Sequence, residues 1–204
     1  MKYLLVLAVL AIVTLGAPQS AKADILVFAA ALSGPAEAPP NTSPGVGFTT
    51  VTYDNLAHTL RVQVAFAGLT TGTVASHIHS ATAVPFTGAA GVATQVPSFV
   101  GFPLGVTSGT FDNTLDLTLA SSWNPAFIAA NGGTTASAEL AFVNIGLLQG
   151  RAYLNIHTTA FPGGEIRGFL QATPEPTTML LLGTGLASLG AMVRRRSKSR
   201  NKAS

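Results

Sequence analysis

Three of the four histidines in this 204-residue chain fall in two short segments, His77-Ile78-His79 and Tyr153-Leu154-Asn155-Ile156-His157. Imidazole is the side chain best suited to ligate a transition metal or move a proton near neutral pH. In an extended strand, side chains alternate between faces, so His77 and His79 share one side with Cβ atoms roughly 6–7 Å apart. The same alternation puts Tyr153, Asn155 and His157 on one face and leaves Leu154 and Ile156 for the core. After the turn at Pro162-Gly163-Gly164, Glu165-Ile166-Arg167 alternates again, with Ile166 inward and the charged pair outward. Two chemistries fit this set. In the leading reading, the imidazoles, Tyr153, Asn155, Glu165 and Arg167 form a hydrogen-bonded network that ties strand ends together with no cofactor. In the alternative, His77, His79 and His157, with Glu165 or Glu37, ligate one zinc or copper ion at about 2 Å, with redox or hydrolytic chemistry as a possible consequence.

Other chemistries find little support. No Ser-His-Asp arrangement is suggested, and no glycine-rich loop opens a helix to cradle phosphate. Glu37 and Glu165 are of the right type for glycoside hydrolysis, but Glu37 stands beside Pro39 and Pro40 and reads as turn punctuation. His58 lies at a polar turn and reads as solvated. The expectation is a non-enzyme.

The elements that must position these residues are strands. Leu60, Val62, Val64 and Phe66 alternate with Thr59, Arg61, Gln63 and Ala65, the pattern of a strand buried on one face. Gly47 to Tyr53 is its expected partner through a turn at Asp54 and Asn55. Leu115, Leu117 and Leu119 alternate with polar residues, and Asp112-Asn113 reads as the turn before them. Ile25 to Leu32, Val74 to His79, Arg151 to Thr158 and Glu165 to Gln171 complete the strands. Thr82 to Gly105, rich in Gly and Pro, reads as a long loop. Leu140, Val143 and Leu147 at helical spacing predict one short helix over 136–148, ended by Gly150. Seven or eight short antiparallel strands argue for an all-β fold, an antiparallel β-sandwich of Greek-key-like type with one short helix.

The two ends read differently from the middle. Lys2, the apolar run Tyr3 to Gly16 and Ala21-Lys22-Ala23 have the pattern of a secretory signal peptide over 1–23, cut by signal peptidase. Near the other end, Pro174-Glu175-Pro176 precedes an uncharged apolar run to Val193 and then Arg194, Arg195 and Arg196. That run is just long enough for a transmembrane helix. The arginines and the basic tail over 197–204 belong on the cytoplasmic side. Between these ends, residues 24–176 keep only Arg61, Arg151 and Arg167 against all eight acidic residues, a balance of −5. The basic character of the whole chain thus lies in its tails, and no basic patch remains for nucleic acid. The chain has no cysteine, so a domain over 24–173 depends on packing and hydrogen bonds rather than disulfides.

The segment 174–196 resembles the PEP-CTERM sorting signal of Gram-negative bacteria. The resemblance implies insertion in the inner membrane, cutting near the tripeptide by an exosortase, and release to the cell surface or extracellular matrix. The middle of the chain resembles the CHRD domain, named after chordin. The matching pieces are Leu32-Ser33-Gly34, Glu37-Ala38-Pro39-Pro40, Gly47, Gly68-Leu69-Thr70 and Ala75-Ser76-His77-Ile78-His79. Further on come Gly150, Tyr153 to Thr158, and Gly163-Gly164-Glu165-Ile166-Arg167-Gly168. One departure is Ser80, where the family pattern has glycine. This resemblance implies a β-rich extracellular module, with no established reaction or ligand. The expectation for the chain is an exported module that works by binding, with extracellular polysaccharide or matrix as a partner class, or as a structural component.

Intact-mass analysis of surface-released protein should show both tails gone, leaving a chain from about Asp24 to near Pro176. Retention of Arg194 to Arg196 in that fraction would instead mark a permanent anchor. The trimmed protein should also pass through a heparin column at physiological salt.

Overall fold

Alternating apolar residues build a three-stranded meander first. The computed structural model describes residues 25–173 and, beyond them, Thr184. Strands β1 (Ile25–Ser33), β2 (Val46–Asp54) and β3 (Thr59–Ala67) pair antiparallel along their full nine-residue lengths. Their inward residues Phe28, Leu32, Val51, Leu60, Val62, Val64 and Phe66 are all buried. The expected turn closes β2 and β3, with Asp54 Oδ1 accepting from the backbone N–H groups of Leu56 and Ala57 at 2.9 and 2.8 Å.

The remaining strands are β4 (Thr73–His79), β5 (Gly109–Asp116), β6 (Tyr153–Thr158), β7 (Ile166–Phe169) and the short β8 (Gln171–Ala172). They join the meander in one antiparallel sheet of order β4-β6-β7-β1-β2-β3-β5, with β8 also on β1. The sheet curls into a half-barrel. This corrects the expected sandwich, which needs two separate sheets. Continuous pairing of β7 and β8 with β1 carries one ladder from edge to edge, so the sheet buries its inner face by curling on itself. The loop before β5 bonds the start of β4: Thr73 N donates to Val106 O at 3.0 Å and Gly105 N to Thr73 O at 2.8 Å. Residues 91–99 run along the free edge of β4, where Ala93 N and Phe99 N donate to Ile78 O and Ser76 O, each at 2.9 Å. That cover blunts an otherwise open edge.

Three local expectations change. Asp112-Asn113 is not a turn but lies inside β5. Asp112 pairs across the ladder with Gln63 and takes a two-pronged bond from Arg61, Nε to Oδ1 at 2.8 Å and Nη2 to Oδ2 at 2.6 Å. Phe111 and Leu115 face inward on this strand, whereas Leu119 lies beyond its end and is exposed. The helical region begins with α1 (Pro125–Ala130), absent from the sequence reading, capped by the Asn124 side chain on Ala126 N. The expected helix is α2 (Thr135–Ala141), opened by a Thr134–Ser137 capping box and continued by π-helical turns over Phe142–Leu147. Its buried face carries Ala138, Glu139, Phe142, Val143 and Leu147, and Leu140, expected inward, is exposed.

Trp123, Phe127 and Phe142 from this region join the inner sheet face in one hydrophobic cluster. Trp123 keeps its indole N–H satisfied by Leu117 O at 2.9 Å. Among the described residues no helix is long and apolar enough to cross a membrane. The signal peptide expected over 1–23 and the apolar helix expected over 174–196 lie outside the described residues.

Val64→Asp places a lone carboxylate in this core at a cost of several kcal/mol, comparable to the whole stability of a small domain. The variant should lose its cooperative thermal transition. A melting temperature within a few degrees of wild type would contradict the assignment of Val64 to the core.

Candidate functional site

The chemistry-bearing residues lie on β4, β6 and β7, on the face away from the hydrophobic cluster. Register places them: His79 is opposite Tyr153, His77 opposite Asn155 and Ala75 opposite His157 on the β4–β6 ladder, and Asn155 is opposite Arg167 on β6–β7. Ile78, Leu154, Ile156 and Ile166 point the other way and are fully buried. Glu165 and Arg167 alternate with Ile166 as expected, but the face they occupy is not open to water. Glu165 is 0% exposed, Arg167 4% and Asn155 2%. Loops over 34–41 and 80–100 cover this second face, so the strands here are buried on both sides.

Arg167 shows how the cover works. Its Nε donates to Ala36 O at 2.5 Å, its Nη1 donates to Gly88 O at 2.9 Å, and Glu37 Oε2 lies 3.7 Å from Nε. Glu37 is therefore a buried partner of Arg167 rather than turn punctuation. Burial pushes its carboxyl up to about 7, against the pull of the Arg167 charge. The Gly163-Gly164 pair has a physical reason at Gly164, whose φ of +130° disfavours any side chain and whose absent Cβ leaves room for Asn155 and Glu37.

Glu165 occupies a cradle of its own. Oε1 accepts from Ser43 Oγ at 2.6 Å, Thr70 N at 2.6 Å and Thr70 Oγ1 at 2.8 Å, while Oε2 accepts from Thr158 Oγ1 at 2.5 Å. Burial pushes this carboxyl up, and the four hydrogen bonds together more than offset it, so it stays below the ordinary carboxylate range. It ties the β1–β2 loop, the β3–β4 bend and the end of β6 together. Glu165 is thus not a partner of the histidines.

The three imidazoles do converge. Their nitrogen ligand atoms lie within 4.8 Å of one another, and among the described residues no carboxylate or fourth histidine joins them. His79 Nδ1 lies 2.9 Å from Ala90 O and His157 Nδ1 lies 3.0 Å from Pro162 O. A carbonyl only accepts, so both rings carry their proton on Nδ1 and present a bare Nε2 lone pair. His77 Nδ1 is 3.2 Å from His79 Nε2. His157 Nε2 is buried with no hydrogen-bond partner. The rings pack edge-on, with centroids 4.7 Å apart for His77–His157 and 5.1 Å for His77–His79. Tyr153 stacks flat on His79 at 4.8 Å and 3°, and the Arg167 guanidinium lies over the same Tyr153 ring, 4.6 Å from its centroid.

Electrostatics keep these rings neutral. Burial lowers His77 to about 3, helped by the neighbouring His157 and His79 and opposed by the Pro97 carbonyl. Burial likewise lowers His79 to about 4, with the Ala90 carbonyl working the other way and the His157 and Arg167 charges adding to the drop. His157 is lowered by burial against the Pro162 carbonyl.

A second polar cluster went unread in the sequence. Tyr53 Oη donates to Glu139 Oε1 at 2.7 Å, and His58 Nδ1 lies 2.9 Å from the same oxygen. His58 is therefore not merely solvated; it pins the β2–β3 turn to α2. A carboxylate at a buried helix position was the one available signal.

Comparison with known proteins agrees with this architecture. Residues 28–170 match the CHRD domain. The chain belongs to the CHRD domain family. Residues 172–196 match the PEP-CTERM protein-sorting motif, which marks an exosortase substrate exported through the membrane to the cell surface. Neither is an enzyme family. No curated protein and no solved structure matches the chain. In this CHRD domain, several of the family segments quoted from the sequence meet at one place. Glu37, His77, His79, Asn155, Glu165 and Arg167 all lie on or beside the covered face.

The lowered histidines give the metal-free domain a defined pH response. Between 6.5 and about 3, the unfolded chain takes up protons that the folded imidazoles refuse, so stability falls as pH falls through this window. Glu37, raised from 4.5 to about 7, acts in the opposite sense as one group against three. The melting temperature of metal-free protein should therefore fall from pH 7 to pH 4. A profile that is flat or rises on acidification would contradict buried neutral imidazoles.

Proposed function

We propose that this chain is an exported, non-catalytic CHRD module that carries one zinc or copper ion between His77, His79 and His157 at the cell surface or in its matrix. The observation that carries the reading is the His157 Nε2 lone pair, buried with no partner and turned with His79 Nε2 towards a common point. A pure hydrogen-bonded network satisfies one pair, with His77 Nδ1–H donating to His79 Nε2, and leaves His157 Nε2 unpaired. An ion satisfies all three. For a metal–nitrogen distance of about 2.0–2.1 Å, ligand nitrogens sit about 3.3–3.6 Å apart, close to the 3.2 Å between His77 and His79. The carbonyls of Ala90 and Pro162 supply the outer hydrogen bonds that orient metal-bound imidazoles. Such an ion serves retention or structure at the surface rather than turnover, in keeping with a family and motif that are not enzymatic.

Delivery follows from the ends. Signal peptidase removes 1–23, the 174–196 segment holds the chain in the inner membrane of a Gram-negative cell, and an exosortase cuts near Pro174-Glu175-Pro176. Thr173 N donates to Val27 O at 2.8 Å, so the ordered fold reaches to the residue before the tripeptide. Cutting there leaves the domain whole. Extracellular polysaccharide or another matrix component is the partner class we assign to the released module.

Elemental analysis of protein purified without chelator should give close to one zinc or copper per chain. His157→Asn should abolish that content, and chelators should lower the melting temperature of the wild type. If wild type carries no metal and His157→Asn costs only about 1–3 kcal/mol of stability, the network reading replaces this one.

A further inference from the structure

The metal-holding reading leaves open which ion the three imidazoles select, and the surroundings bear on that choice. All three ligands are neutral, and no carboxylate joins them among the described residues. Glu165 is consumed by Ser43, Thr70 and Thr158. Glu37 is directed to Arg167. A bound ion therefore keeps its full charge in a buried setting, where each histidine is no more than 8% exposed. The cost of desolvating an ion grows with the square of its charge, so a dication pays about four times what a monocation does. Arg167, whose charge the Glu37 carboxyl offsets only in part, lies on the same face. The Arg167 guanidinium lies 4.6 Å from the Tyr153 ring, and Tyr153 lies flat against His79. Its repulsion is twice as large for a divalent as for a monovalent ion. Zinc sites made of three protein ligands are completed by a fourth, a water or substrate.

We infer that His77, His79 and His157 form a three-coordinate site for monovalent copper, with Arg167 acting through Tyr153 as the residue that disfavours divalent ions. The inference rests on the metal-holding reading. Imidazole suits copper as well as zinc, and a closed-shell monovalent ion accepts three nitrogens without a counter-anion. The binding step takes up copper(I) supplied as such, so no electron transfer is part of it.

The test uses the purified full chain under anaerobic conditions, titrated with copper(I) against a chromogenic copper(I) chelator and with zinc(II) against a zinc indicator. One equivalent of copper(I) should bind at least about 100-fold more tightly than zinc(II), and the copper-loaded protein should show no paramagnetic resonance signal. Arg167→Gln should narrow that ratio about tenfold, whereas Arg167→Lys, which keeps the charge, should preserve it. Zinc(II) binding as tightly as copper(I) overturns the monovalent assignment and leaves the metal-holding reading standing. Binding of neither ion overturns both. A ratio unchanged in folded Arg167→Gln overturns the role given to Arg167. Should that variant fail to fold, Glu37→Gln, which removes the carboxyl beside Arg167, should widen the ratio above pH 7, and an unchanged ratio there overturns the role given to Arg167.

Discussion

Polar side chains on the covered face of β4, β6 and β7 must find partners inside the protein, because a buried unpaired donor or acceptor costs about 1–3 kcal/mol and a buried charge costs more. That constraint shapes the loops around the face. The 34–41 segment brings Ala36 O and Glu37 to Arg167. The 80–100 segment brings Gly88 O to Arg167 and Ala90 O to His79. The turn after β6 brings Pro162 O to His157. Gly168 on β7 has no room for a Cβ against Ala31 O, so β7 can approach β1 closely where Arg167 enters. Apart from the 80–100 segment, the stretches that mark the CHRD family are largely those that meet this constraint.

Two anionic or basic centres on this face follow opposite designs. Glu165 is saturated, with four short hydrogen bonds from three different elements, and behaves as a structural rivet. The histidine cluster is oriented from outside by carbonyls and left unsaturated inside. His157 Nε2 shares its orphaned state with Glu37 Oε1, Asn155 Oδ1 and Ser80 Oγ, but it is the one orphaned atom that belongs to the convergent imidazoles. The neutral state imposed by burial removes proton competition near pH 7, which favours ion binding further. The ion-holding role we propose draws on three features: the convergent imidazoles, their neutrality and the outward route of the chain.

Much of this was legible in the chain, for identifiable reasons. Period-2 alternation located β2 and β3 and put His77 with His79 and Tyr153 with Asn155 and His157, because side-chain direction in a strand is a local property. Whether inward faces belong to two stacked sheets or to one curled sheet depends on which strands pair at long range, and alternation carries no such information. The same limit applies to Glu165 and Arg167. A polar face was readable, but the loops that bury it lie more than a hundred residues away in the case of Ala36 and Arg167. Asp112 looked like a turn residue until Arg61 and Gln63, about fifty positions earlier, supplied its partners. Leu140, expected inward, is exposed, while its neighbour Glu139 is buried by bonds to Tyr53 and His58, about eighty positions earlier.

The central claim is that the imidazoles are neutral and locked with lone pairs turned inward, and imidazole nitrogen NMR of the metal-free protein at neutral pH reads this directly. The account predicts that His79 and His157 are both neutral Nδ1–H tautomers, with Nε2 resonances characteristic of an unprotonated nitrogen. A proton on Nε2 of His157, or a charged imidazolium at either ring at pH 7, would contradict it.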